Sequence, residues 1–355
     1  GEADGGVAAL LGLWSPDGLV PIEGTQRKVT TKDMERTFTD LRRKFAKLAP
    51  WKSMPDPRPD LDWHAPACSL DNWKHKDVRV ELAKAIAYVT LNRPEDNNRL
   101  GEGIVAGLCD AVLLLHSRPD IRVVVFSGEG KLLCGGRDPK GDAFGFNAQV
   151  GEGTEALESG AFPEGRVSVG RMLQAKLWHT WAMLPQFTIC LAGGSALGDG
   201  MGVALCSDMV VAVRAAYFGF PDTKLGLVNA ALSPYLLAKT SAGVAKNMFV
   251  MGSLLPAETA FERGIVDRVV ESLADGYTLI REICEELTKC APGSVRLAKE
   301  LVAGVAGRQV DESIIFYTMA MASRVAGSEE FRQGLEAAAA ELPKPWETSA
   351  IEPLD

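Results

Sequence analysis

The 355-residue chain lacks several features that would place it in a specialised class of protein. Its seven cysteines form no Cys-x-x-Cys pair, and several lie inside apolar runs. We therefore expect buried thiols in a reducing intracellular compartment rather than a disulfide framework. Every apolar stretch is far shorter than the ~20 residues that span a bilayer, so no transmembrane segment is expected. The first residues, GEADGGVAALLGLW, lack the basic start of a secretory signal.

Two further absences concern ligands. The chain has no surplus of positive charge, since its formal net charge is −8, and this argues against nucleic acid as a partner. No GxxxxGK[ST] sequence occurs, and the glycines of SALGDGMG are spaced GxGxG rather than GxGxxG. Nucleotide binding through either motif is therefore disfavoured. Hydrophobic residues make up 46% of the chain, which is enough for a sizeable core.

Residues 1–75 differ in pattern from the rest of the chain. In TTKDMERTFTDLRRKFAKLAPW the apolar residues recur at steps of three and four, which predicts an amphipathic helix that ends at Pro50. The opposite face of this helix is basic, and it is either a solvated surface or a contact for a membrane or an acidic partner. The Pro-rich stretch that follows predicts an extended linker. We therefore predict that residues 1–75 form an N-terminal extension.

A regular α/β pattern begins after this extension. Residues 77–128 contain two alternating strands, a helix with one apolar stripe and a β-branched strand, which is typical of parallel pairing through a βαβ unit. The pattern recurs and then becomes mostly helical. We predict an α/β core at 76–270 and a helical region at 271–355 that supports oligomerisation or covers the site. Segment 140–170 lacks periodicity and is either a functional lid or disordered.

Two glycine-rich loops, KLLCGGRDPKG and SALGDGMG, lie where a strand is followed by a helix. The first N–H groups of a helix have no partner within it, and two such groups aimed at one point stabilise a developing oxyanion. Glycine permits the close backbone approach that this needs. Each loop taken alone is also what an ordinary tight turn requires, so the loops gain meaning only from their context.

That context is a resemblance to the enoyl-CoA hydratase/isomerase (crotonase) superfamily. The motifs that carry it are VTLNRPEDNN, IRVVVFSGEGKLLCGGRDPKG, ICLAGGSALGDGMGVALCSDMVV, FGFPDTKLGLV and the final GSEEFRQGLEAAAAELPKPW. The resemblance runs over residues 78–346 and is more specific for the superfamily than for the reaction. It implies a spiral α/β fold of ββα units, assembled as a homotrimer or hexamer. It also implies an acyl-CoA or acyl-carrier-protein thioester as substrate, with coenzyme A as part of that substrate and no tightly bound cofactor or metal.

The resemblance also implies roles for individual residues. The thioester oxygen would lie between the backbone N–H groups of Arg137 and Asp199, which would hold the enolate formed by chemistry at the α-carbon. The basic side chains of Arg137 and Lys140 would lie near the CoA phosphates. The residues expected to bind the substrate or its CoA portion are Gly136, Arg137, Lys140, Gly198 and Gly200.

The chain departs from the hydratase pattern, which in this superfamily uses two glutamates. At the first of these positions it has Gly202, and at the second it has Asp222. A single acid suits an enoyl-CoA isomerase, or a lyase such as a decarboxylase, with Asp222 as the proton carrier. Hydration with a displaced second acid and a catalytically weak scaffold are the alternatives. A related branch dehalogenates aromatic acyl-CoA with an aspartate where this chain has Ala230, so that reaction is disfavoured.

Three features leave two interpretations each. Asp199 stands where the superfamily has glycine, and its carboxylate either replaces the missing acid or caps the helix that begins at this turn. His179 is either an acid or base of the acyl pocket or a packing residue between Trp178 and Trp181. Three glutamates in the middle of segment 140–170 either restore the missing carboxylate or are surface charges; they are Glu152, Glu155 and Glu158.

Overall fold

The computed structural model describes residue 70, residues 73–138 and residues 169–347. The helix and the Pro-rich linker predicted before residue 70 lie outside the described residues, as does most of the aperiodic segment 140–170. Among the helices within these ranges, none is both long enough and apolar enough to cross a membrane.

The secondary structure follows the alternation of short strands and helices that the sequence predicts. The described strands are β1 Val78–Ala83, β2 Ile86–Leu91, β3 Val123–Gly128, β4 Leu132–Cys134, β5 Phe187–Ala192, β6 Ser195–Leu197, β7 Met209–Val213, β8 Tyr217–Gly219, β9 Leu254–Pro256 and β10 Arg268–Val270. The described α-helices are α1 Glu102–His116, α2 Val169–Ala182, α3 Met201–Cys206, α4 Ser233–Lys239, α5 Ala242–Met251, α6 Ala257–Glu262, α7 Leu273–Thr288, α8 Pro292–Val305, α9 Glu312–Ala326 and α10 Glu329–Ala339.

The larger sheet has the strand order β1-β2-β3-β5-β7-β10. Strands β1 and β2 form an antiparallel hairpin in the register Val78↔Leu91, and every later pair in this sheet is parallel. The β-branched run of β3 is buried on both faces, which is why its sequence shows no alternation. The predicted hairpin and the predicted parallel pairing are therefore confirmed.

The smaller sheet has the order β4-β6-β8-β9, and three of its strands directly follow strands of the larger sheet along the chain. Strands β3, β5 and β7 each cross after a few residues into β4, β6 and β8, and this repeated step produces the ββα spiral. The apolar stretch MVVAVRAAYFGFP has the sequence pattern of one continuous strand, but it forms two strands. A turn, closed by the Ala216 N–H donating to the Val213 carbonyl at 2.9 Å, divides it into β7 and β8.

Both faces of the larger sheet are covered. One face packs against helices α1 to α6 in a core that includes the fully buried Trp178 and Trp181. The other face carries Ile86, Val125 and their neighbours, which pack against Ile280 and Cys284 of α7. The first helix of the predicted C-terminal region is therefore part of the core. The predicted boundary at residue 270 stays a prediction.

Candidate functional site

The two glycine-rich loops meet at one edge of the smaller sheet. They follow β4 and β6, which are parallel neighbours in the register Cys134↔Ala196, and parallel strands end at the same edge. Gly136 has a φ of 90°, and a Cβ atom there would lie 2.7 Å from the Leu197 carbonyl oxygen and 3.8 Å from the Asp199 nitrogen. Only glycine fits this contact. A Cβ atom on Gly200 would likewise lie 2.7 Å from the carbonyl oxygen of Cys134.

An ion pair joins these loops. Arg137 Nε donates to Asp199 Oδ2 at 3.1 Å, and the Asp199 side chain is only 4% exposed. The other carboxylate oxygen, Oδ1, accepts from Asn229 Nδ2 at 2.6 Å. The alternative that Asp199 caps its own helix is wrong. Neither the 3₁₀ helix Gly198–Gly200 nor α3 has a side-chain cap, because both carboxylate oxygens are engaged with other loops.

Asp222 approaches the same turn from the other side. It lies in the 3₁₀ helix Pro221–Leu225, which follows β8, and it is 8% exposed. Its Oδ2 atom is buried and has no hydrogen-bond partner among the described residues. A Cβ atom on Gly198 would lie 3.3 Å from this oxygen, so the carboxyl faces the glycine turn. Burial raises the pKa of Asp222, the charge of Asp199 raises it further, and Arg137 and Asn229 act in the opposite direction.

Asn229 bonds Asp199 from the loop that follows Asp222. Gly226 ends the 3₁₀ helix at a φ of 75°, and the Leu227 N–H then donates to the Asp222 carbonyl at 3.0 Å, so the chain folds back. The Asn229 side chain, in a residue that is 3% exposed, donates to Asp199 and also acts to lower the pKa of Asp222. Sequence reasoning missed this residue. The signal was a lone amide in the otherwise apolar LGLVNAAL, seven residues after Asp222.

The family assignment follows from comparison with known proteins. The family model described as Enoyl-CoA hydratase/isomerase matches residues 81–349. The chain belongs to the enoyl-CoA hydratase/isomerase family. (E)-benzylidenesuccinyl-CoA hydratase of Thauera aromatica is 30% identical over 265 residues, which are 73% of this chain and 94% of that protein. The 1,2-epoxyphenylacetyl-CoA isomerase of Escherichia coli is 32% identical over 197 residues, which are 55% of this chain and 70% of that protein.

Solved structures confirm the predicted crotonase-like α/β fold. The structure of Pseudomonas aeruginosa AtuE superposes with a TM-score of 0.66 at 22% identity, covering 77% of this chain and the whole of that one. The chain is thus an enzyme of the enoyl-CoA hydratase/isomerase family. The family contains both hydratases and isomerases, so the reaction has to be argued from the site itself.

The resemblance implies an acid of the hydratase type at the position of Gly202, and in this member of the enoyl-CoA hydratase/isomerase family an indole ring fills the space around that glycine. A Cβ atom on Gly202 would lie 2.3 Å from Cε2 and 2.5 Å from Cζ2 of Trp178. Trp178 is fully buried, and its Nε1 has no partner within the described ranges. In the sequence, Trp178 stands out only as a neighbour of His179. Its contact with Gly202 joins α2 to α3 and has no local sequence signal.

The remaining candidate residues fall in three groups. His179 is half-exposed on α2, and no hydrogen bond or ion pair in the described part of the chain joins it to Asp199 or Asp222. Ala230 is exposed, beside Asn229. The candidates that lie outside the described residues are Lys140, Glu152, Glu155 and Glu158.

Proposed function

We propose that the protein acts on an acyl-CoA or acyl-carrier-protein thioester at its α-carbon, as an isomerase or a lyase such as a decarboxylase. The backbone N–H groups of Arg137 and Asp199 hold the thioester oxygen, and Asp222 carries the proton. Coenzyme A enters as part of the substrate, along the loop that contains Gly136 and Lys140. We also keep the homotrimer or hexamer of the family as an expectation, which light scattering measures directly.

The observation that carries this proposal is the unpartnered oxygen of Asp222. Of the two acids at the glycine turn, Asp199 has both oxygens engaged, whereas Oδ2 of Asp222 has no partner among the described residues. A carboxylate that exchanges protons with carbon needs an oxygen that no other hydrogen bond occupies. Its raised pKa also makes the ionised form a stronger base. One acid with an unpartnered oxygen, beside two candidate oxyanion donors, is what the transfer of a single proton requires.

For a 3-enoyl thioester the proposed step balances as follows. The Asp222 carboxylate takes a proton from the α-carbon, and the electron pair of that C–H bond passes into the thioester carbonyl to give a dienolate. The N–H groups of Arg137 and Asp199 stabilise the negative oxygen. The carboxyl then returns the proton to the γ-carbon and the double bond moves into conjugation. For a malonyl-type thioester, loss of CO₂ forms the enolate and Asp222 supplies the proton to the α-carbon.

Hydration fits the described residues less well. Adding water across a double bond needs one group to activate the water and another to protonate the carbon. The position that would hold the second acid is Gly202, and the Trp178 ring occupies the space beyond it. Hydration would therefore require a second acid at a position other than 202.

A substrate panel in D₂O tests the proposed function. The purified protein is offered 2-enoyl-, 3-enoyl-, β-ketoacyl- and malonyl-type CoA thioesters, with saturated acyl-CoA as a probe of α-proton exchange, and mass spectrometry follows each product. We expect deuterium at the α-carbon and conversion of a 3-enoyl or malonyl-type thioester. CoA binding without exchange or turnover across the panel would mean a binding subunit and would refute the enzyme proposal.

The acidic limb of the pH–rate profile tests the electrostatics of the site. In the isomerase reaction Asp222 acts first as a base and must be ionised, so turnover is present above its pKa and is lost as the pH falls through that value. Because burial and Asp199 raise this pKa, the limb lies above the range of an ordinary aspartate. Asp199→Asn removes one raising charge, and we expect the limb to move to lower pH.

The control for this profile is Asp120→Asn. Asp120 is an exposed acid paired with Arg118, away from the glycine turn, and its removal is expected to leave the limb in place. A limb that stays put or moves upward in Asp199→Asn would contradict the assignment of the titrating group to Asp222. The limb is read from kcat/KM, which reports the free enzyme.

A further inference from the structure

The Arg137–Asp199 ion pair has an unusual place in the site. Both residues are the proposed oxyanion donors through their backbone N–H groups, and their side chains bond each other at 3.1 Å. The pair therefore spans the gap between the loop after β4 and the loop after β6. Asn229, on a third loop, adds a bond of 2.6 Å to the same carboxylate. Three loops are thus tied together at one buried group.

The charge of Asp199 makes this arrangement consequential. A carboxylate on the residue whose N–H is to hold an enolate oxygen repels that oxygen, and the repulsion is stronger in a water-poor site. Asp199 is 4% exposed, so solvent screens its charge little. The Arg137 guanidinium is the positive group bonded to it, and the Asn229 amide supplies a second, neutral donor. Without these partners a buried anion would face the developing enolate.

We infer that Arg137, Asp199 and Asn229 form an ion-pair clamp that fixes the spacing of the two oxyanion loops and neutralises the Asp199 charge beside the enolate. The inference rests on the proposed function, since it concerns the same site. It makes the Arg137 side chain a positioning group of the reaction centre rather than a ligand of CoA phosphate. Asn229 is a positioning residue as well, because it bonds the Asp199 carboxylate from a third loop.

Acetoacetyl-CoA is the probe for this clamp. It enolises with solvent base, needs no proton transfer by Asp222, and its enolate absorbs in the near ultraviolet. Titrating the bound probe gives the pH at which it enolises. We expect Arg137→Gln to raise that pH by about one unit and Asp199→Asn to lower it by about one unit, each the effect of one uncompensated charge. In the double variant the two changes should cancel.

A merely structural pair gives a different pattern. Both single variants would then loosen the loops and raise the enolisation pH. The enolisation pH of the double variant would be at least as high as that of either single variant. That result overturns the clamp. Arg118→Gln and Asp120→Asn, on an exposed ion pair of 2.6 Å, are the matched controls and should change nothing. If Arg137→Gln does not fold, Arg137→Lys replaces it. Because lysine keeps the positive charge, Arg137→Lys should shift the enolisation pH of the bound probe less than Asp199→Asn does.

The outcomes for the clamp and for the proposed function are separable. If the wild-type protein does not shift the enolisation of the bound probe, no oxyanion site exists and both ideas fail. If the wild-type protein shifts it but both single variants move in the same direction, only the clamp fails. Loss of turnover in an Asp222 variant with an unchanged enolate signal supports the proton carrier independently of the clamp.

Discussion

Replacing Asp222 by asparagine is expected to lower kcat by about 10²- to 10⁴-fold, the usual contribution of a positioned general acid or base. The amide keeps the shape of the side chain but does not accept a proton from carbon. Because Oδ2 of Asp222 has no hydrogen-bond partner in the described part of the chain, the substitution breaks no bond at that atom. We therefore expect the loss in kcat, with KM for the thioester changed only a few-fold.

Two further variants make this result specific. Asp222→Glu keeps the carboxyl and moves it by one methylene, so it should retain more activity than Asp222→Asn. Asp120→Asn makes the same chemical change at an exposed acid and should retain full activity. An Asp222→Asn enzyme with more than about a tenth of wild-type kcat would show that another group carries the proton. Steady-state kinetics with the substrate found in the panel measures all three variants.

The regular part of the fold could be predicted because its signals are local. The alternation in β1 and in β2, the apolar stripe of α1 and the continuous β-branched run of β3 are all patterns that lie within single elements. The sequence does not predict strands β9 and β10, because three residues are too few to show alternation. The sequence also does not predict the division of MVVAVRAAYFGFP into β7 and β8, because this division depends on which sheet each strand joins.

The features of the site likewise divide into those that the sequence predicts and those that depend on contacts between distant residues. That the glycine loops and Asp222 lie close together could be predicted, because the resemblance to the family implies one site for all of them. The side-chain direction of Asp199 could not, because a buried carboxylate goes where its donors are, and those donors come from residues 62 and 30 positions away. Asn229 and Trp178 were missed for the same reason. Each acquires its role only when separate loops or helices come together.

The Trp178 contact leads to the second large expected effect. Gly202→Glu, which restores the first acid of the hydratase type, should lower the free energy of unfolding by about 3 kcal/mol or more. The new Cβ atom would lie 2.3 Å from the indole in a fully buried helix, so the core is overpacked and a carboxylate is buried without a designed partner. Urea unfolding monitored by circular dichroism measures the change. We expect no gain of hydratase activity.

Gly243→Glu is the matched control, since it makes the same substitution in α5, where the atom nearest to the new Cβ is 3.9 Å away. It should change stability by no more than about 0.5 kcal/mol. In Gly202→Glu/Trp178→Ala the two substitutions should cost less together than the sum of their separate costs, because removing the ring vacates the space that the glutamate needs. Additive costs would mean that Trp178 is not what excludes an acid at this position. Costs that are less than additive would instead mean that the Trp178 ring is what excludes an acid at position 202.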